Sequence, residues 1–326
     1  MSMHKGLISF VIPCYCAEWT IEAVVEEVIG KVGGQTRYDY EIILVNDCSR
    51  DKTSEIIKKL ANENHRIAAV DFSKNFGQHS ALMAGFQKVQ GEYIVCLDDD
   101  GQMPIESVFD LIKELEKGAD VAFGQYEEVQ QSWARNLGSK VNAWMTELLL
   151  EKPRQLFMSS FWAGKRFVID EVLRYDAAYP YIGGLLLRIT RNMVSVPVKQ
   201  RERAAGKSGY TFFKLLNLWM NGFTAFSVKP LRFATLCGII SAAAGFIYGI
   251  VMIIRKLLNP DILLGYASLI TVILFIGGMI MFLLGLLGEY IGRIYICLNK
   301  APQYVIREVV DCREAWEKEG QNEKQD

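Results

Sequence analysis

Tyr93-Ile94-Val95-Cys96-Leu97-Asp98-Asp99-Asp100-Gly101-Gln102-Met103-Pro104 is a short apolar stretch that runs into three consecutive carboxylates. Strand-forming residues stop where Asp and Gly begin, which places the acids at a strand's C-terminal edge. In open parallel α/β sheets that edge is where ligands bind. Three adjacent carboxylates repel one another and call for a counter-charge. Oxygen ligands suit Mg²⁺ or Mn²⁺. Extended alternation would aim Asp98 and Asp100 one way and Asp99 the other, making the alternate pair the metal candidates. A solvated acidic turn, capping a helix that begins near Pro104, is the other interpretation of the same residues.

Outward from this stretch, apolar runs alternate with helical periodicity. Residues 7–13 (LISFVIP), 40–45 (YEIILV) and 66–72 read as strands, and 120–123 as a fifth after the one at 93–97. Residues 18–32, 53–60, 80–86 and 105–117 carry helical spacing. This alternation predicts a mostly parallel sheet covered on both faces. Neither G-x-G-x-x-G nor G-x-x-x-x-G-K-[ST] occurs, so a nucleotide would be held by strand-end acids and a metal. Residues 130–150 read as an amphipathic helix with Arg135, Ser139 and Asn142 on one face. A strand at 194–198 leads into a basic loop, 199–210, suited to covering an anion.

Of the 326 residues, 51% are hydrophobic, and the net charge of −1 gives no footprint for nucleic acid. The seven cysteines have no paired spacing, which fits a reduced compartment; Cys14 and Cys16 are expected as buried apolar packing. The chain opens directly into a strand, so no cleavable signal peptide is expected. The apolar excess lies in the last third. Residues 210–226 are aromatic and apolar with one charge, as in a helix lying in a membrane interface, with a buried core helix as the alternative. Residues 236–254 and 266–287 are uncharged, Gly-containing and of bilayer-spanning length. Arg255, Lys256 and Asp261 lie between them; Lys229, Arg232, Arg293, Lys300 and Arg307 flank them. The positive-inside rule then puts the domain and tail on the cytoplasmic side. The expected organisation is a catalytic domain at 1–209, an interfacial helix region at 210–230, transmembrane helices at 231–256 and 264–288, and a juxtamembrane segment and charged tail at 289–326, frayed over 311–326.

Taken together, these residues resemble the family 2 glycosyltransferases of the GT-A fold (Rossmann-like α/β). More narrowly they resemble the membrane-anchored polyisoprenyl-phosphate glycosyltransferases, such as dolichyl-phosphate mannose synthase and the bacterial undecaprenyl-phosphate transferases. The likeness spans about residues 6 to 310. It implies transfer of a sugar, with inversion, from a nucleoside-diphosphate sugar (UDP expected) to a polyisoprenyl phosphate (undecaprenyl phosphate expected), at a bacterial inner membrane. By the same resemblance Asp98, Asp100 and Gln102 surround Mg²⁺ or Mn²⁺. Pro13, Tyr15, Glu18, Asp47, Asn75, Gln78, Asp99 and Ser208 border the donor; Arg135, Ser139 and Arg203 hold the phosphates. A tetramer is known among such relatives. The chain departs from the pattern at several points. Cys16 stands for Asn and Cys48 for Gly; Gly209 stands for a Lys, with Lys207 just before Ser208. Gln125 and Tyr126 follow Gly124 where an Arg is usual. His79 is expected to position its loop, since a phosphate acceptor needs no base. The competing interpretations are a processive polysaccharide synthase, whose Q-x-x-R-W is not completed by Gln131-Ser132-Trp133, and a membrane-tethered scaffold with a degenerate site.

Overall fold

The computed structural model describes residues 6–126, 153, 156–199, 229–258, 266–299 and 301–313. The expected interfacial helix, the helix at 130–150 and the basic loop from 200 onward lie outside them. The chain forms two compact units, one of residues 1–209 with 301–326, the other of 210–300.

The first unit is built on β1 (Gly6–Cys14) and β2 (Tyr38–Asn46), paired in parallel from Gly6–Tyr38 to Cys14–Asn46. The last seven residues of each are buried, as unbroken apolar runs should be. Helices α1 (Ile21–Val32), α2 (Thr53–Glu63) and α3 (Gln78–Phe86) carry the chain back for β2, β3 (Ile67–Phe72) and β4 (Tyr93–Cys96). One turn of 3₁₀ helix (Ile105–Ser107) and α4 (Val108–Glu116) lead to β5 (Val121–Tyr126). β6 (Trp162–Lys165), α5 (Arg166–Val172), α6 (Ile182–Ile189) and β7 (Met193–Val198) follow. The eight strands order as β7-β5-β6-β4-β1-β2-β3-β8. The expected α/β sheet is present, with β6 and the last strand, β8 (Ile306–Asp311), antiparallel to their neighbours.

Ile8, Phe10 and Ile12 of β1 share one core with Val25 and Val28 of α1 and Leu111 and Ile112 of α4. The opposite face receives α3. A Cβ on Gly85 would come within 2.4 Å of Val11 Cγ1, so only glycine lets the helix approach that closely.

Two segments differ from expectation. Trp162–Lys165 is a strand where none was expected: four residues with an internal Gly carry too little alternation to be recognised. Gly164 sits in a tight spot there, since a Cβ would lie 3.0 Å from the Trp162 ring. The second difference lies before the tail. No strand was expected there, yet β8 pairs with β3 from Ala68–Asp311 to Phe72–Ile306, taking in Asp311, the first residue of the stretch expected to fray. Its charges, Arg307, Glu308 and Asp311, are those of a protected edge strand. Beyond it Arg313 is 7% exposed and donates to Glu41, to Asp311 (2.8 Å) and to the Lys88 carbonyl (3.0 Å).

The second unit contains α7 (Lys229–Leu258) and α8 (Tyr266–Leu298), both long and apolar enough to cross a membrane. Candidate spans within them, Ala234–Val251 and Phe275–Leu298, have mean hydropathies of 1.9 and 1.7. α8 runs ten residues past its expected end at 288, taking in Glu289 and Arg293.

Candidate active site at the C-terminal edge of the sheet

β4 stops at Cys96, so Asp98, Asp99 and Asp100 occupy a turn rather than a strand. Gly101, at φ +70°, closes it, and Asp100 Oδ1 accepts the Gln102 N–H (3.1 Å). Strand alternation therefore does not set the directions of the three acids. Asp99 Oδ2 accepts the Tyr15 N–H (2.9 Å), which ties the acid turn to the end of β1. Burial, with the Asp98 and Asp100 charges adding, pushes the Asp99 carboxyl up to about 6. Asp98 is held at both oxygens by neutral donors: Gln78 Nε2 to Oδ1 (2.8 Å) and Ser160 Oγ to Oδ2 (2.6 Å). Neutral donors fix the carboxylate's plane without cancelling its charge. Ser160 escaped the sequence analysis; a Ser pair immediately before an aromatic strand was its only local signal.

The preceding turns are stitched together. Cys16 N–H bonds Ser49 Oγ (2.9 Å), Ala17 N–H bonds Thr53 Oγ1 (2.8 Å), and Lys52 N–H bonds Glu18 Oε2 (3.1 Å). Glu18 thus spends a carboxylate oxygen on a neighbouring turn. Pro13 is buried past Val11–Cys96, the last β1–β4 pair, where its missing N–H breaks no ladder bond. Cys16 and Cys48 both have φ of 55°. Asn and Gly, which the resemblance leads one to expect at these two positions, are the residues that most readily enter left-handed backbone. Cys14 is buried as expected; Cys16 is exposed, which corrects the expectation of buried packing.

Asp47 is 3% exposed and accepts the N–H groups of Phe76 (2.6 Å) and Gly77 (2.8 Å), while Asn75 Nδ2 donates to its carbonyl (3.2 Å). Its immediate task is to shape the loop that presents Gln78. His79, next along, is pushed down to about 4 by burial. Its Nδ1 has no hydrogen-bond partner, and its ring meets Tyr181 edge-on at 5.2 Å. At neutral pH it is an uncharged imidazole. At the end of β5, where the Arg is missing, the half-buried Tyr126 hydroxyl is raised by burial and then by the charges of Asp98 and Asp100. Gly124, two residues earlier, has no room for a Cβ, which would lie 2.6 Å from the Phe161 ring. Arg135, Ser139, Arg203, Lys207, Ser208 and Gly209 lie outside the described residues.

Among the described residues no three His, Cys, Asp or Glu side chains converge as a closed metal cage. Asp98 and Asp100 instead offer carboxylates at an open edge. That donor set fits Mg²⁺ or Mn²⁺, hard ions that take one or two carboxylates and fill their shell with water and substrate phosphates.

Residues 9–173 match the profile of Glycosyl transferase family 2, and residues 229–294 match the GtrB C-terminal hairpin. The chain belongs to glycosyl transferase family 2. Within the family it is 33% identical over 310 residues to the undecaprenyl-phosphate 4-deoxy-4-formamido-L-arabinose transferase of Proteus mirabilis (strain HI4320), covering 93% of this chain and 94% of that one. It is also 33% identical to a prophage bactoprenol glucosyl transferase homolog of Escherichia coli (strain K12), covering 93% and 99%. Among solved structures, a glucosyl-3-phosphoglycerate synthase of Mycobacterium tuberculosis aligns over 66% of this chain and 76% of that one, at 19% identity and a TM-score of 0.48. The acid turn therefore belongs to a glycosyltransferase domain, and the two long apolar helices to the hairpin that follows it.

Proposed function

We propose that this glycosyltransferase moves a sugar from a UDP-sugar to a polyisoprenyl phosphate, undecaprenyl phosphate, with inversion at the anomeric carbon. The observation that carries this is the pairing, in one chain, of the Asp98–Asp100 turn with the hairpin of residues 229–294, shared over nearly full length with relatives named for that lipid carrier. The hairpin is read as two spans of a bacterial inner membrane, with the catalytic unit cytoplasmic. In support, Lys229 and Arg232 at the start of α7 and Arg293 near the end of α8 outnumber Arg255 and Lys256 at the end of α7.

Asp98, Asp100 and Gln102 would hold Mg²⁺ or Mn²⁺ against the donor diphosphate. When bound, that ion supplies positive charge for the leaving diphosphate. Gln78 and Ser160 keep Asp98 oriented toward it, and the loop shaped by Asp47 closes one side of the donor. A lipid phosphate oxygen attacks the anomeric carbon as the bond to the diphosphate breaks on the opposite side. The attacking oxygen is already anionic near pH 7, so no general base is needed, in keeping with a neutral His79. Arg135, Ser139 and Arg203 are the residues proposed to hold the acceptor phosphate, and Ser208 to close on the donor. Positioning and electrostatics carry the rate in such a scheme.

The test uses the full chain in detergent with Mg²⁺ or Mn²⁺, undecaprenyl phosphate and a panel of UDP- and GDP-sugars. Mass spectrometry should find a sugar joined to the lipid phosphate with one donor. Nucleotide release without glycolipid would remove the acceptor assignment; no release from any donor would favour the scaffold interpretation.

A further inference from the structure

The loop at residues 73–78 carries Gln78, the donor to Asp98, and must therefore be held in place. One side is held by Asp47, as described. The other is held by residues from the far end of the chain. Ser73 N–H donates to the Val305 carbonyl (2.9 Å), and Arg307 Nη2 donates to the Ser73 carbonyl (3.1 Å). The Tyr304 ring lies flat on Phe72, at 5.2 Å and 7°. Phe72 in turn meets Phe76 of the loop edge-on, at 5.7 Å and 84°. Pairing of β3 with β8 steps from Asp71–Glu308 to Phe72–Ile306, which leaves Arg307 as the extra residue of a bulge. Bulges beside active sites commonly re-aim a side chain, and this one brings the guanidinium to the loop.

We propose that Tyr304 and Arg307 are positioning residues for the donor loop: the segment that follows the second apolar helix sets where Gln78 stands, and through it the orientation of Asp98. The Ser73 N–H is taken by residue 305, its carbonyl by Arg307 and by the Cys48 thiol (3.8 Å), and the N–H groups of Phe76 and Gly77 by Asp47. The loop is thus clamped from two sides, and only one clamp comes from the domain's own N-terminal part. The catalytic consequence rests on the proposed function; the structural one does not.

The experiment uses the full chain in detergent with Tyr304→Ala, Arg307→Ala and Tyr304→Phe. Amide hydrogen exchange at Phe76 and Gly77 is read beside the donor KM and kcat in Mn²⁺. Loss of an outer-shell partner should accelerate exchange at those two amides and raise donor KM by about tenfold, with kcat within about threefold. Exchange within β1 and β2 should not change, and Tyr304→Phe, which keeps the stack, should restore both readouts. Wild-type exchange and wild-type KM in both alanine variants would overturn the proposal. Should Tyr304→Ala unfold, Arg307→Ala decides, since it removes a single bond from an exposed side chain. If no donor turns over even in the wild type, the proposed reaction fails while the exchange data still judge the clamp.

Discussion

Replacing Arg313 with Met should be the most damaging single change outside the acid turn. Arg313 is 7% exposed and Glu41 4%. The guanidinium donates to Glu41 Oε2, to both oxygens of Asp311 and to the Lys88 carbonyl, while Glu41 Oε1 accepts from Ser9 Oγ (2.5 Å) and the Gln90 N–H (2.5 Å). Met fills much of the same volume, so the loss is chiefly electrostatic: Glu41 is left buried and charged with only neutral donors. Breaking a buried pair from one side costs about 3–5 kcal/mol. For a unit of this size that lowers Tm by roughly 6–20 °C. Differential scanning fluorimetry at a fixed scan rate reports it through Trp162, which is buried against Phe86 and Phe123. Adding Glu41→Gln to the Met variant removes the stranded charge and should recover more than half of the loss. A single Met variant within about 1 kcal/mol of wild type would refute the seating of the tail on Glu41.

Three further outcomes are expected. Ser160→Ala frees Asp98 Oδ2 and should weaken apparent Mn²⁺ affinity by about tenfold, measured from the metal dependence of nucleotide release; an unchanged metal curve would show that the hydroxyl is dispensable. Cys48→Gly relieves a left-handed backbone cost of about 1–2 kcal/mol, less about 0.5–1 for glycine entropy, so Tm should rise slightly, whereas Cys48→Val should lower it. His79 binds its proton near 4 when folded, against 6.5 for the free side chain. The unfolded chain therefore gains the proton first, and stability is lost as pH falls from 6.5 toward 4. Relative to His79→Phe, the wild type should lose about 2 kcal/mol between pH 8 and pH 5, read as a difference in denaturant midpoints; parallel pH profiles would count against a buried neutral His79.

The strands β1 to β5 were legible because parallel strands buried on both faces are unbroken apolar runs. β6 and β8 were not: one is four residues around a glycine, the other carries the charges of an edge. The acid turn was legible from composition alone. Its geometry was not, because the residues that orient Asp98 come from positions 78 and 160 and meet it only through the fold. Asp47 and Glu18 follow β2 and β1, and each is engaged by backbone N–H groups that no motif records. Cys16 and Cys48, which depart from the Asn and Gly expected by resemblance, both hold left-handed backbone.

The return of the chain to β3 has a consequence for synthesis. Glu41 and Arg313 are 272 residues apart, so at ~5–20 residues per second the carboxylate and the open side of β3 wait on the order of half a minute for their partners. Throughout that interval both apolar helices leave the ribosome, and the unfinished sheet presents an unpaired edge. A nascent chain with these properties needs its helices taken up promptly and its edge shielded. Expression of residues 1–209 alone should therefore give aggregation rather than a soluble transferase domain.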